Sequence, residues 1–203
     1  MKKTIDKTKA SSNKSAGEKK RRTSSPIVCL KDLDKDGIEE IVDAAGQPLY
    51  RSTQICDWLY AKRAASFDDM TNIPAEFRTK LAESYSVDSL VLVSKATSAD
   101  GTKKYVFSLA DGGCIESVLI PESDRATLCV STQAGCAMKC RFCKTGERGL
   151  KRDLIASEII GQLIFALRHE KKVSNVVFMG MGEPLANLDN FAAAVRNITA
   201  PWG

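Results

Sequence analysis

The sequence predicts an α/β fold whose N-terminal part is α+β, and three observations carry that reading. Apolar residues recur at helical spacing from Leu30 to about Val87, and they alternate from Ser89 to Ile120. After Pro121 the pattern becomes strand, helix, strand, helix. That order implies a right-handed parallel crossover, and ligand sites in such sheets and barrels gather at the C-terminal ends of the strands.

The segments follow in chain order. Residues 1–25 hold nine Lys/Arg against Asp6 and Glu18 and contain no aromatic residue. Such a stretch buries too little surface to offset its ordering entropy, so it reads as a disordered basic tail. Residues 26–88 read as a small helical domain. Asp34 or Asp36 caps a helix bearing Ile38, Ile41 and Val42 that stops at Gly46. Ser52 or Thr53 starts a second helix with Ile55, Trp58 and Leu59, and Pro74 opens a third with Phe77 and Leu81. Trp58, Tyr60 and Phe67 fit a core better than an RNA-stacking surface, while Arg51, Lys62 and Arg63 could touch phosphate.

Residues 89–120 read as a three-stranded antiparallel meander. Its runs Leu90–Val93, Tyr105–Leu109 and Ile115–Ile120 are separated by Asp100-Gly101 and Asp111-Gly112-Gly113, which favour hairpin turns. Cys29, Cys56 and Cys114 read as small buried hydrophobes. In residues 121–203 the expected strands are Ala126–Val130 and Asn175–Met179. The expected helices run from about Asp153 to His169 and from about Leu188 to Ile198.

Composition narrows the function. No apolar run among the 203 residues reaches membrane-spanning length, and the basic N-terminus lacks the apolar core of a secretory signal. Seven cysteines, three of them crowded together, suit metal binding in a reducing compartment better than a disulfide framework, so the cytoplasm is expected. The net charge of +5 belongs to the tail, because residues 26–203 carry 21 basic against 23 acidic side chains. The single histidine, His169, ends a helix and offers no histidine-based catalysis.

The chemistry concentrates in Gly135–Cys143. Cys136, Cys140 and Cys143 stand at C-x₃-C-x₂-C spacing on a short basic loop, with aromatic Phe142 before the last. Soft thiolates so closely spaced can wrap iron or zinc. Three ligands leave one corner of a four-iron–four-sulfur cluster open for a small chelating substrate, and Phe142 could stack on a flat ligand. The alternative is a structural zinc knuckle with Cys129 as fourth ligand, although such sites usually use two close pairs. Lys139, Arg141, Lys144, Arg148, Lys151 and Arg152 surround the loop, opposed nearby only by Glu147 and Asp153, which suits a polyanionic substrate or, without the cysteines, an ordinary solvated loop. About forty residues on stands Gly180-Met181-Gly182-Glu183-Pro184, a turn in which glycines let a ligand approach the backbone. Alone it could equally be a tight strand-to-helix turn capped by Glu183.

The cysteine loop resembles that of radical S-adenosylmethionine (radical SAM) enzymes. Together with Arg125–Ser131 and Gly180–Leu185 it resembles the dual-specificity adenine-C2 methyltransferases of 23S ribosomal RNA and transfer RNA, and adenine-C8 methyltransferases share much of the framework. The resemblance runs from about Leu30 to the last residue. It implies a helical accessory domain that grips RNA and an antiparallel extension. These are followed by the first two βα units of a partial (β/α)6 barrel, so the chain reads as an N-terminal fragment. It implies a 4Fe-4S cluster on Cys136, Cys140 and Cys143, with S-adenosyl-L-methionine bound by Phe142, Gly180, Met181, Gly182, Glu183 and Pro184. In that scheme Glu183 accepts a hydrogen bond from the methionine amino group. Cys129 is the thiol that releases product by forming a disulfide with a methyl-carrying cysteine. That second cysteine has no counterpart in these residues. Glu116 matches an acidic residue near the substrate. The implied partners are 23S rRNA, tRNA and an electron donor such as flavodoxin or ferredoxin, with a monomer at full length. Another radical SAM enzyme and a non-enzymatic zinc-bearing RNA-binding module are the other two readings.

Overall fold

A computed structural model describes residues 27–202, so the expected tail over residues 1–25 lies outside the described residues. The helical segment opens with α1 (Lys35–Ala44), whose N-cap Asp34 accepts a hydrogen bond from the Gly37 N–H at 2.9 Å. Gly46, at φ +67°, follows its end as the sequence implied. The second helix, α2 (Tyr50–Leu59), starts earlier than Ser52 or Thr53. Ser52 lies inside it, buried, with its hydroxyl donating to the Leu49 carbonyl. Pro74 is the N-cap of α3 (Ala75–Ala82) rather than its first residue. Ile38, Val42, Ile55, Leu59, Phe77 and Leu81 are all buried, so the helical periodicity marks the core faces. Two short parallel strands, β1 (Val28–Cys29) and β2 (Tyr85–Ser86), close this segment.

The principal sheet has five strands: β3 (Val91–Thr97), β4 (Lys103–Ser108), β5 (Cys114–Pro121), β6 (Ala126–Cys129) and β9 (Asn175–Val177). They lie side by side in that order, antiparallel as far as β6 and parallel between β6 and β9. The meander is therefore not set apart from the α/β part, because β5 pairs directly with β6 and one sheet runs through both. Helix α5 (Ala156–His169) connects β6 to β9 and covers the face formed by Tyr105, Phe107, Ile115, Ser117 and Leu119. Phe165 meets Tyr105 and Phe107 edge-on at 5.4 and 5.0 Å. Helix α6 (Leu188–Thr199) follows β9.

Three further differences from the sequence reading are local. The helix expected from Asp153 starts at Ala156, because the Glu158 carboxylate accepts the Ile155 N–H at 3.1 Å and fixes the first turn there. A hairpin absent from the sequence reading, β7 (Gln133–Gly135) with β8 (Leu150–Asp153), brackets the cysteine loop, which also holds a one-turn helix, α4 (Lys144–Glu147). Cys114 is exposed, since alternation along β5 turns residues 114 and 116 away from α5; Cys29 and Cys56 are buried. Burial pushes the Cys56 thiol up to about 11.

One apolar core runs from Leu30 through α5 to Ala194. A polar clamp joins the helical segment to the end of α5: the fully buried Lys31 ammonium lies 2.7 Å from Asp88, and Arg168 grips the same carboxylate. Arg168 also donates to the carbonyls of Arg63 and Ala64, while Arg63 donates to the Leu167 carbonyl. Burial raises the Asp88 carboxyl, but its bonds from Arg168 and Lys31 outweigh that and hold it below the usual range. Arg51 donates to Gln54 and Asn72, and Lys62 pairs with Asp57. The three cations expected to meet phosphate therefore make bonds within the protein.

Candidate functional site

The chain beyond β6 forms a shelf. Val130 still pairs with Val177 of β9, its N–H donating to that carbonyl at 2.9 Å. Ser131, Thr132 and Gln133 are almost wholly buried. The Gly180–Pro184 loop, arriving from β9, lies against them. Gly180 N–H donates to the Val130 carbonyl at 3.1 Å, and the Met181 carbonyl accepts from Thr132 and Gln133 at 2.8 and 3.1 Å. Met181 N–H donates to Ser131 Oγ at 2.8 Å, and Glu183 N–H to Gln133 Oε1 at 2.9 Å. The approach is close enough to require both glycines. A Cβ on Gly180 would meet Ser131 Oγ and the Val130 carbonyl at 2.7 Å, and one on Gly182, at φ +100°, would meet the Gln133 Cβ at 2.6 Å. Pro184 begins a short 3₁₀ turn that Glu183 caps, its carboxylate accepting from Leu185 N–H at 3.3 Å.

The cysteine loop springs from the β7–β8 hairpin. Cys136 is buried, with its N–H on the Gly149 carbonyl at 3.1 Å; Cys140 is exposed and Cys143 half-buried. Gly135 must be glycine, because at φ +90° a Cβ would sit 2.0 Å from the Gly149 carbonyl oxygen. The backbone N–H groups of Gly146 and Thr145 hold the Cys143 thiol below the usual thiol range. The donor set suits a thiolate-bound metal: three cysteines on one loop, none in a disulfide, one with its thiolate stabilised. Among the described residues, however, no three metal-ligating side chains are gathered closely enough to hold an ion. Phe142 points outward, 92% exposed, so it stacks on nothing here.

Between the shelf and this loop lies a cleft of about 170 Å³ lined by Val106, Cys114, Glu116, Lys144, Thr145, Arg148 and Met181. It brings together β5, the helix immediately after Cys143 and the glycine-flanked loop. Glu116 faces it with Lys104 at 3.3 Å. Cys129 ends β6 opposite Val118 and Val177, outside that lining, and burial raises its thiol despite a bond from the Met179 N–H. Sequence reasoning missed Cys114 on this wall; its same-parity spacing from Glu116 was the available signal. It also overstated the cationic rim. Arg152 is held by Glu158 at 2.8 Å and Asp111 at 2.6 Å, and Lys144 pairs with Glu147, leaving Lys139, Arg141, Arg148 and Lys151 around the loop.

Known proteins carry the same architecture. Residues 28–87 match the family model described as the ribosomal RNA large subunit methyltransferase N-terminal domain, and residues 130–200 match that of the radical SAM superfamily. The dual-specificity RNA methyltransferase RlmN of Geotalea uraniireducens is 46% identical over 87% of this chain and 51% of its own length. That of Desulfosudis oleivorans is 52% identical over 73% of this chain and 41% of its own. The chain belongs to the radical SAM dual-specificity RNA methyltransferase family. A crystal structure of a radical SAM methyltransferase from Sphaerobacter thermophilus superposes with a TM-score of 0.83 at 39% identity, covering 87% of this chain and 53% of that one. The chain thus spans about half the length of the curated relatives it matches. Within the family frame, the two matched regions are the helical segment and the stretch holding the shelf, cysteine loop and α5. The antiparallel strands β3–β5 lie between them. Among the described residues no helix is long and apolar enough to cross a membrane.

Proposed function

We propose that this chain provides the RNA-gripping and cofactor-binding parts of a cytoplasmic methyltransferase acting on adenine C2 in 23S rRNA and tRNA. The observation that carries the reading is the cleft shared by Glu116, Met181 and the helix that follows Cys143. Cys136, Cys140 and Cys143 are the residues to hold a 4Fe-4S cluster, which when bound supplies a single low-potential electron for cleaving S-adenosyl-L-methionine. The protein's own part is orientation. Gly180 and Gly182 let the loop pack directly on residues 130–133 and so fix where it meets the cofactor, and Glu183 offers a carboxylate to the cofactor's amino group. The shelf beneath fixes that loop to the end of β6.

Glu116 and Lys104 line the route by which a base enters the cleft, and Arg148 supports an adjoining phosphate. Cys129, half-buried with a raised thiol, would be kept for the last step, in which it forms a disulfide with the methyl-carrying cysteine as that sulfur parts from the product carbon. An acidic single-electron carrier such as flavodoxin or ferredoxin suits the Lys139–Arg141 side of the loop, and the full-length enzyme is expected to be a monomer. Residues 26–88 would act as the accessory domain, with Arg51, Lys62 and Arg63 meeting phosphate only in competition with their bonds inside the protein.

Anaerobic addition of iron and sulfide followed by equilibrium binding of S-adenosyl-L-methionine tests the cofactor site. We expect about four irons per chain and saturable binding. Cys136→Ala, Cys140→Ala or Cys143→Ala should abolish both, and Cys129→Ala should abolish neither. Zinc in place of iron, with loss of metal in Cys129→Ala, would instead establish a four-cysteine knuckle. Product analysis of methylated RNA then separates C2 from C8 chemistry.

A further inference from the structure

One buried node ties both walls of the cleft together. The ladder between β5 and β6 ends at Val118 opposite Cys129, where the chain turns toward β9. In the same register Ser131 falls opposite Glu116, but its hydroxyl replaces the missing backbone bond. Ser131 Oγ donates to the Glu116 carbonyl at 2.6 Å and accepts from the Met181 N–H at 2.8 Å. A hydroxyl has one proton, and here it is committed to Glu116, so the lone pair toward Met181 is set at the same time. Gln162, fully buried on α5, grips the backbone of this serine from both sides. Its Oε1 accepts the Ser131 N–H at 2.9 Å, and its Nε2 donates to the Ser131 carbonyl at 2.9 Å. The remaining lone pair and proton of the amide go to the Ser117 hydroxyl at 2.6 Å and the Glu158 carbonyl at 3.0 Å, leaving the network fully paired.

We propose that Ser131, locked by Gln162, is a positioning residue that sets the distance between the Glu116 wall and the Met181 wall of the cleft and so tunes cofactor affinity. The inference rests on the cofactor reading above, and the test separates the two. Ser131→Ala removes the bridge without adding volume. Ser117→Ala removes an equally buried hydroxyl bonded to the same glutamine but not to the loop, and Ser131→Thr keeps a hydroxyl in place. Amide hydrogen exchange is measured on the unloaded chain, and equilibrium binding of S-adenosyl-L-methionine on the iron–sulfur-loaded chain.

In Ser131→Ala we expect exchange at Met181 to rise about tenfold and cofactor binding to weaken by up to about tenfold, the scale of one buried hydrogen bond. Ser117→Ala should leave both within about twofold, a shift well below that of a lost bond. Ser131→Thr should restore both. Unchanged Met181 exchange in Ser131→Ala overturns the proposal. So does faster exchange with unaltered binding, or an equal loss of binding in Ser117→Ala, since either makes the serine merely structural. Absence of binding by the loaded parent chain would refute the cofactor reading, and Met181 exchange would then decide the role of Ser131 alone.

Discussion

Residues 130–133 and residues 136–149 are neighbours in sequence, the first buried beneath the loop that carries Met181 to the cleft and the second contributing Lys144, Thr145 and Arg148 to its lining. Yet they are built in opposite ways. In the shelf, the backbone and the Ser131 and Gln133 side chains are tied to the Gly180–Pro184 loop, to α5, to β8 or to the N-cap of α6. The buried Thr132 hydroxyl alone lacks a partner among the described residues; Asn187, that N-cap, donates to both the Thr132 and Leu154 carbonyls at 2.8 Å. In the cysteine loop most side chains are exposed, Lys139 sits at φ +49°, and the three thiols do not converge. The contrast teaches that the glycine-flanked loop and the strand end beneath it are held in place by the polypeptide itself. On the proposed function, the cysteine loop would take its final shape from the cluster it binds, as expected where metal binding and local order are coupled.

Two glycines with left-handed backbones sharpen the comparison most. Gly182→Ala would drive a Cβ into Gln133 at φ +100°, and we expect a loss of about 4 kcal/mol of stability in thermal or denaturant unfolding. A stable Gly182→Ala protein would mean the shelf is far more yielding than its hydrogen bonds imply. The anchorage of α5, which backs the shelf, comes next. Asp88→Asn should cost about 3 kcal/mol at neutral pH, because Lys31 is left buried without its counter-charge. The Asp88 carboxyl is lowered on folding, so its contribution is fully present above the ordinary aspartate range near pH 4. It is lost as pH falls through the lower folded value. Urea midpoints taken from pH 7 to pH 3 should therefore drop more steeply for the parent than for Asp88→Asn.

In the cysteine loop the expected effects are smaller. Gly149→Ala meets nothing within 4 Å and carries only the strain of φ +69°, about 1 kcal/mol. Phe142→Ala, at a side chain 92% exposed, should change the stability of the unloaded chain by less than about 0.5 kcal/mol. A larger loss would reveal packing of this ring in solution and blur the distinction between the two regions.

Much of the frame was legible because it rests on local chemistry. Asp34 announces its cap, and Gly101 and Gly112, both at positive φ, close the hairpins their Asp-Gly pairs promised. The apolar stripe of α5 marks the covered face of the sheet. The shelf was not legible. Ser131, Thr132 and Gln133 carry no periodic signal, and their roles come from partners about fifty residues away. The β7–β8 hairpin hid for a related reason: Gln133-Ala134-Gly135 and Leu150–Asp153 have little strand propensity and pair because the glycine backbones fit together. The cysteine spacing picked out Cys136, Cys140 and Cys143 as candidate ligands, but it could not give the arrangement of the thiols, which depends on the loop's few contacts. Arg152 misled because a charge reads as free until its partners, Asp111 and Glu158, are seen.

The most direct test of this contrast is residue-resolved amide exchange on the chain before and after anaerobic loading with ferrous iron and sulfide. The account predicts marked slowing across residues 137–148 and little change at residues 130–133 and 180–183. Iron uptake that leaves residues 137–148 exchanging as before, or that slows the shelf as much as the loop, would contradict it.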